Sequence, residues 1–204
     1  MQHIEFLHQP HFEEKYHRKW VHHGPLARFI DFFWETDFES LYLQHPNGFT
    51  DVLFANTGYT YLINLGTPFV MQLGGDGVEM KSDGFLPRNK SLACHHKSGN
   101  KIFGIKFKIS PLVFQKRINF GEYRHYIFPL AYLIDRSIVQ KVKEAHTFDK
   151  RVEIISGYYK KIVEQNEGAL KYVAIVAEIL NTSYEQNKFD VTIDAWAQQY
   201  SIST

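Results

Sequence analysis

Histidine and cysteine are the side chains of this sequence that could hold a metal ion. There are eleven histidines but a single cysteine, Cys94. Imidazoles and a carboxylate can hold a divalent ion inside a β-barrel. The pairs His22-His23 and His95-His96 each offer only one inward ligand, however, because adjacent residues of a strand point to opposite faces. With no His-x-His and no second cysteine for zinc, we predict scattered surface histidines and no metal site.

Nucleophilic catalysis finds no better support in the sequence. Cys94 precedes His95, but sequence neighbours are rarely positioned as nucleophile and base, so a buried structural cysteine is predicted. A Gly-x-Ser-x-Gly elbow is missing. The glycine-rich residues 74–77 lack the Lys-Ser/Thr of a phosphate-binding loop and fit a hairpin turn. We therefore predict a protein that is not an enzyme, with no catalytic residues and no cofactor.

Basic residues concentrate between positions 97 and 124, where Glu122 is the one acidic residue. The stretch contains Lys97, Lys101, Lys106, Lys108, Lys116, Arg117 and Arg124. Such a group could bind an anionic ligand or a phosphate backbone. A solvated strand face followed by an exposed helix explains it equally simply, and we favour that interpretation.

Composition narrows the class of protein further. The chain has 204 residues, of which 44% are hydrophobic, and 23 Lys and Arg balance 22 Asp and Glu. That charge balance gives no global attraction to nucleic acid or membranes. One cysteine excludes an intramolecular disulfide and fits a reducing compartment. The charged N-terminal segment, broken by Pro10, is not a signal peptide, and no apolar run approaches the ~18 residues of a membrane span. A cytoplasmic protein without a membrane partner is expected.

Two periodicities divide the chain. Residues 1–109 contain short aromatic and β-branched runs separated by turn signals, which predicts an antiparallel sandwich or barrel. Residues 25–34 fit a helical turn that leads into a strand. The clearest strand surrounds Lys106 and Lys108, which alternate with Ile105, Phe107 and Ile109, so the two sets face opposite sides.

Beyond residue 109 the spacing of apolar residues becomes helical. Ser110-Pro111 is a strong helix start, and helices are predicted over 135–145, 148–165 and from Leu170 onward. The fold class is therefore α+β, an antiparallel β-barrel or sandwich followed by α-helices. We assign residues 1–109 to a β domain and 110–165 to a helical dimerisation or linker segment.

Three stretches together resemble the N-terminal sensory domain of AraC-type transcription regulators, in the branch with a diverged cupin-like barrel. The likeness covers residues 24–180. The stretches are Pro25-Leu26…Phe29-Ile30…Phe33-Trp34, then HPNGFTDVLFAN at 45–56, and FGIKFKISP at 103–111. The second is similar to a "Pro-Asp-Gly … Asp-Leu-Ile-Phe-Asn" signature, with Asn47 where the family often has Asp. The third is similar to "Gly-Val-x-Phe-x-Pro" before a helix.

The C-terminal residues extend this resemblance. Thr192 fits an N-cap, and residues 196–203 fit the "Leu-Ala-x-x-x-Gly-x-Ser" pattern of the family's DNA-binding domain. Trp196 stands at the Leu position, Ala197 at Ala, Ser201 at Gly and Ser203 at the final Ser. Residues 168–204 would then be an incomplete helix-turn-helix domain, in which Tyr200 and Trp196 pack on a partner. The recognition helix would follow Ser203, so we expect a natural truncation or a fragment.

The resemblance implies a mechanism as well as a fold. The barrel would bind an unidentified small-molecule effector, and the helices would form a homodimer or relay the bound state. DNA would be contacted only through residues outside this chain, because residues 181–204 carry a net charge of −2 and DNA-contacting surfaces are basic. Two alternatives stay open: a cupin-type metal-dependent enzyme, and a stand-alone small-molecule or protein-interaction module.

Overall fold

A computed structural model describes residues 14–56, 58–73, 76–80, 83–88, 90–109, 127–166, 168, 170–186 and 191–202. Two antiparallel sheets and five α-helices make up this part of the chain. The predicted α+β class with antiparallel sheets is confirmed. The described strands of the two sheets do not pair into a closed barrel, and their arrangement is compatible with a sandwich. The helix predicted to start at Ser110-Pro111 lies outside the described residues.

The strands alternate between the two sheets along the chain. The six-stranded sheet contains, in spatial order, β1 (Tyr16–Trp20), β2 (Ile30–Asp37), β9 (Lys101–Phe107), β4 (Tyr59–Asn64), β7 (Gly84–Pro87) and β10 (Phe128–Pro129). The four-stranded sheet contains β3 (Phe49–Leu53), β8 (Leu92–His96), β5 (Phe69–Leu73) and β6 (Asp76–Met80). A 3-10 turn, Pro25–Arg28, leads into β2 as predicted.

The helices follow mostly in the second half. They are α1 (Glu39–Gln44), α2 (Arg136–Glu144), α3 (Phe148–Gln165), α4 (Leu170–Gln186) and α5 (Ile193–Gln199). Local capping explains where three of them begin. Asp135 accepts the Ser137 amide, Thr147 that of Lys150, and Thr192 that of Ala195, each satisfying one amide without a helical partner.

Two hydrophobic cores lie on opposite faces of the six-stranded sheet. On one face Phe103, Ile105 and Phe107 of β9 join residues of α2 and α3. On the other face Trp34 and Ile102 join Leu53, Met71, Leu92 and Cys94 of the second sheet. Because side chains of β9 alternate between these cores, Lys106 points to the core between the sheets, where it is 6% exposed.

Candidate functional site

A group of ionisable side chains lies in the core between the sheets. We call it the inter-sheet cluster: Asp51, Arg88, Cys94, His96 and Lys106, all buried. The two-residue period of the strands places them there. In β8 residues 92, 94 and 96 are buried while 93 and 95 are not, and in β3 residues 51 and 53 are buried. Buried charges of this kind are rare without a structural or functional reason.

Asp51, Cys94 and His96 form the tightest part of the cluster. Asp51 of β3 is paired with Cys94 of β8, and His96 lies two residues further on the same face. One oxygen, sulfur or nitrogen atom from each lies within 4.8 Å of the other two. His96 Nε2 is 3.3 Å from Asp51 Oδ1. Burial, followed by the nearby charge of Asp51, raises the pKa of the Cys94 thiol well above its ordinary value.

The hydrogen bonds around His96 fix which ring nitrogen carries a proton. Asn100 Nδ2 donates to the Thr67 carbonyl over 3.1 Å, so Asn100 Oδ1 faces His96 Nδ1 at 2.6 Å. An amide oxygen only accepts, and His96 Nδ1 must therefore donate. The rings of Phe38 and Phe49 stack on the imidazole with centroids 4.0 Å and 5.0 Å away, which holds its orientation.

Two cations share this interior. Arg88 is 1% exposed and donates to the Phe54 carbonyl and, over 3.3 Å, to Thr60 Oγ1. Its Nε has no hydrogen-bond partner among the described residues. Burial lowers the pKa of Arg88 to about 10. Burial, and then the charge of Arg88, lowers the pKa of Lys106 to about 8, although Lys106 Nζ donates to Asn56 Oδ1 over 2.8 Å.

Lys106 should make the free energy of unfolding depend on pH. Between pH 8 and 10.5 the unfolded chain keeps the Lys106 proton while the folded chain loses it, so the free energy of unfolding rises with pH. We expect a rise of about 2 kcal/mol from pH 8 to pH 10, measured by urea unfolding, that is lost in Lys106→Met. Lys108→Met, at an exposed lysine, is the matched control. An equal rise of the free energy of unfolding in Lys106→Met and in the wild type would contradict the assignment of this pH dependence to Lys106.

A cavity of about 390 Å³ lies at the junction of the six-stranded sheet with α3. Trp20, Leu26, Phe33 and Val152 form apolar walls, and the lining also contains Lys19, His22, His23 and Lys160. None of these described lining residues is acidic, although Lys19 pairs with Asp149 over 2.7 Å. The volume falls in the range of small-molecule sites, ~300–1,000 Å³, and the lining favours a ligand that carries negative charge.

The sequence predicted which of the histidine, cysteine and lysine side chains are buried and which are on the surface, and the structure confirms only some of these predictions. His95 faces away from the core, within 2.8 Å of Thr50 Oγ1, so only one of the adjacent pair points inward, as predicted, and Cys94 is buried, as predicted. His96 is not on the surface, and Lys106 is not on a solvated strand face, because both side chains point between the sheets. The spacing that His-x-His would provide is present as Cys94-x-His96, which places both side chains on one face of the strand. Lys116, Arg117 and Arg124 lie outside the described residues.

The C-terminal residues form a helix and a turn. Trp196, Ala197 and Tyr200 of this segment are half-buried, and the rings of Trp196 and Tyr200 lie 6.2 Å apart. Ile202 N donates to Ala197 O and Ser201 N to Gln198 O, the pair of bonds that defines a Schellman motif. Ser201 has φ +52°, in the left-handed region that favours glycine. Ser203 lies outside the described residues.

Comparison with known proteins adds no relative: no protein-family model matches the chain, and a search of curated proteins found no significant match. Within the described residues, the helices are too short or too polar to cross a membrane. The assignment of a function therefore depends on the motifs and on the geometry of these sites.

Proposed function

We propose that the chain is the effector-sensing and dimerisation portion of a cytoplasmic AraC-type transcription regulator, with the two sheets as a cupin-like sensory part. The observation that carries this proposal is the turn after α5. The AraC-type pattern has glycine where this chain has Ser201, and glycine is the residue that a Schellman motif favours at that position. A positive φ at Ser201 is therefore the backbone geometry that the pattern implies.

The turn gives a direct prediction. Ser201→Gly should stabilise the end of α5 by about 1 kcal/mol, because glycine adopts a positive φ without a Cβ penalty. Amide hydrogen exchange of Ile202, which donates to Ala197 O, should slow by about fivefold. Ser201→Ala is the control and should give no slowing. Equal exchange in the two variants would contradict a left-handed turn.

The cavity supports the sensing role. It is lined by β1, by the 3-10 turn and by α3, so a ligand there would contact the sheet and the helical layer at once. A ligand that prefers one arrangement of these layers shifts the population toward it. We propose that the effector is a small molecule bearing a carboxylate or phosphate, which Lys19 and Lys160 attract.

Dimerisation is proposed through α4, which lies outside the segment 110–165 that the sequence indicated for this role. Tyr172 and Val176 are 54% and 45% exposed, and residues four apart lie on one face of a helix. Packing of this face on a second copy would bury two apolar side chains that the monomer leaves in water. Sedimentation velocity should therefore give a dimer, and a monomer at all concentrations would count against this part of the proposal.

A thermal-shift screen against anionic metabolites tests the sensing role, since a ligand that binds only the folded chain raises the melting temperature. We expect at least one compound to raise the melting temperature. That increase should be lost in Ser156→Trp, because the larger side chain fills the cavity. Glu153→Trp, at an exposed position of the same helix, is the control and should keep it. A screen without any stabilising compound, or a shift that persists in Ser156→Trp, would contradict effector binding in this cavity.

A further inference from the structure

We propose that Asp51, Cys94 and His96 bind one divalent transition-metal ion of the zinc class between the two sheets. This site goes beyond the proposed function and does not depend on it. The donor set of one carboxylate oxygen, one thiolate sulfur and one imidazole nitrogen is typical of Zn²⁺ and its substitutes. Two of the three ligands come from one strand at i and i+2, and the third comes from the paired strand.

The geometry is close to what such an ion requires. Bonds of about 2.0–2.3 Å in a tetrahedral site put the ligand atoms roughly 3.3–3.8 Å apart. His96 Nε2 and Asp51 Oδ1 are already 3.3 Å apart, and all three ligand atoms lie within 4.8 Å. Shifts of at most about 1 Å would bring all three ligand atoms to that spacing.

The contact between His96 and Asp51 is one that a bound cation would stabilise. Its Nδ1 donates to Asn100 Oδ1, so in the neutral ring Nε2 carries a lone pair. That lone pair faces a carboxylate oxygen, and His96 Nε2 has no hydrogen bond among the described residues. A metal ion bound between these two atoms would bring them together as ligands, and a proton on Nε2 is the alternative that the experiment below distinguishes. Metal-bound histidines commonly donate their other N–H to a carbonyl in this way.

Binding would be coupled to loss of one proton. The Cys94 thiol, which hydrogen-bonds to Asp51, releases its proton to solvent and forms a sulfur–metal bond, while His96 keeps the Nδ1 proton. Burial and the charge of Asp51 raise the pKa of the Cys94 thiol, and the charge of Arg88 opposes that rise, so the bound ion itself would have to stabilise the thiolate. Asp51 and the thiolate together balance the two charges of the ion.

The single cysteine allows a test on the unaltered chain. The purified protein is stripped with a chelator, exchanged into fresh buffer and titrated with Co²⁺. We expect a sulfur-to-cobalt charge-transfer band in the near ultraviolet that saturates at one Co²⁺ per chain and disappears when Zn²⁺ is added. Since Cys94 is the only cysteine, the band identifies the site without any substitution. Absence of the band overturns the proposal and indicates that a proton on His96 Nε2 joins the pair instead.

Variants separate this site from the other histidines. Cys94→Ser should lose the band, and His95→Gln, the outward neighbour, should keep it. Asn100→Ala should keep the band but weaken Co²⁺ binding by about 10–100-fold, because Asn100 positions the ring rather than binding the ion. Co²⁺ absorption without the charge-transfer band would assign the ion to other side chains, such as His22 and His23, and would overturn the proposal. This result comes from the unaltered chain, so it holds even if a variant fails to fold.

Discussion

Arg151→Ala is expected to lower the free energy of unfolding by about 3–5 kcal/mol, because it leaves a buried carboxylate without its main partner. Arg151 of α3 donates to both carboxylate oxygens of Glu35 in β2, over 3.2 Å and 2.9 Å. It also donates to the carbonyl of Val142 in α2 and to that of Ala145, the residue after α2. One side chain thus joins the sheet to two helices, and urea unfolding measures the loss.

A neighbouring ion pair supplies the control. Lys150 pairs with Glu153 on the same helix over 2.9 Å, but both side chains are largely exposed. Exposed pairs contribute little, so Lys150→Ala should leave the urea midpoint nearly unchanged. Replacing both buried partners, with Arg151→Met and Glu35→Leu, should cost less than Arg151→Ala alone. Similar midpoints for Arg151→Ala and wild type would show that this ion pair does not hold the helices to the sheet.

Gly104→Ala is expected to destabilise the fold by about 3 kcal/mol, the upper end for an overpacked core. A Cβ at Gly104 would lie 2.1 Å from Trp34 Cε2 and 2.3 Å from its Nε1. The indole is 1% exposed, so a displaced ring would have to push into the surrounding core. Chemical denaturation followed by tryptophan fluorescence measures both the loss and any displacement of the ring.

Gly157 of α3 is the matched glycine. A Cβ there would meet nothing within 4 Å, and alanine in a helix is favoured over glycine by about 0.5–1 kcal/mol. Gly157→Ala should therefore stabilise the protein while Gly104→Ala destabilises it. Equal effects of the two substitutions would contradict the contact between Gly104 and Trp34.

Local signals explain why the helices could be predicted from the sequence. Asp135, Thr147 and Thr192 cap helices through bonds to residues two or three positions away, so the information lies within one turn. The two-residue alternation of β9 is equally local. The short helix α1 was not predicted, because its N-cap residue, Phe38, provides no side-chain hydrogen bond.

The contents of the inter-sheet cluster could not be predicted in the same way. Asp51 meets Cys94 only because β3 pairs with β8, a contact between residues 43 positions apart that no local pattern specifies. The alternation of residues around Lys106 predicts which side chains share a face of the strand. It does not predict that both faces of the strand are buried. Gly104 and Trp34, which lie in two different stretches of the sequence that resemble AraC-type regulators, are paired across β2 and β9.

We propose that residues 192–202 are the supporting helix and turn of a DNA-binding domain. The most direct test of this proposal is fluorescence anisotropy with DNA from upstream of the gene, at low salt, for the protein translated from the whole gene and for residues 1–204. If the whole gene product carries a basic recognition helix beyond residue 204, we predict that it binds DNA in a salt-dependent manner. Residues 1–204 should not bind. Absence of DNA binding by the whole gene product at low salt would contradict the claim.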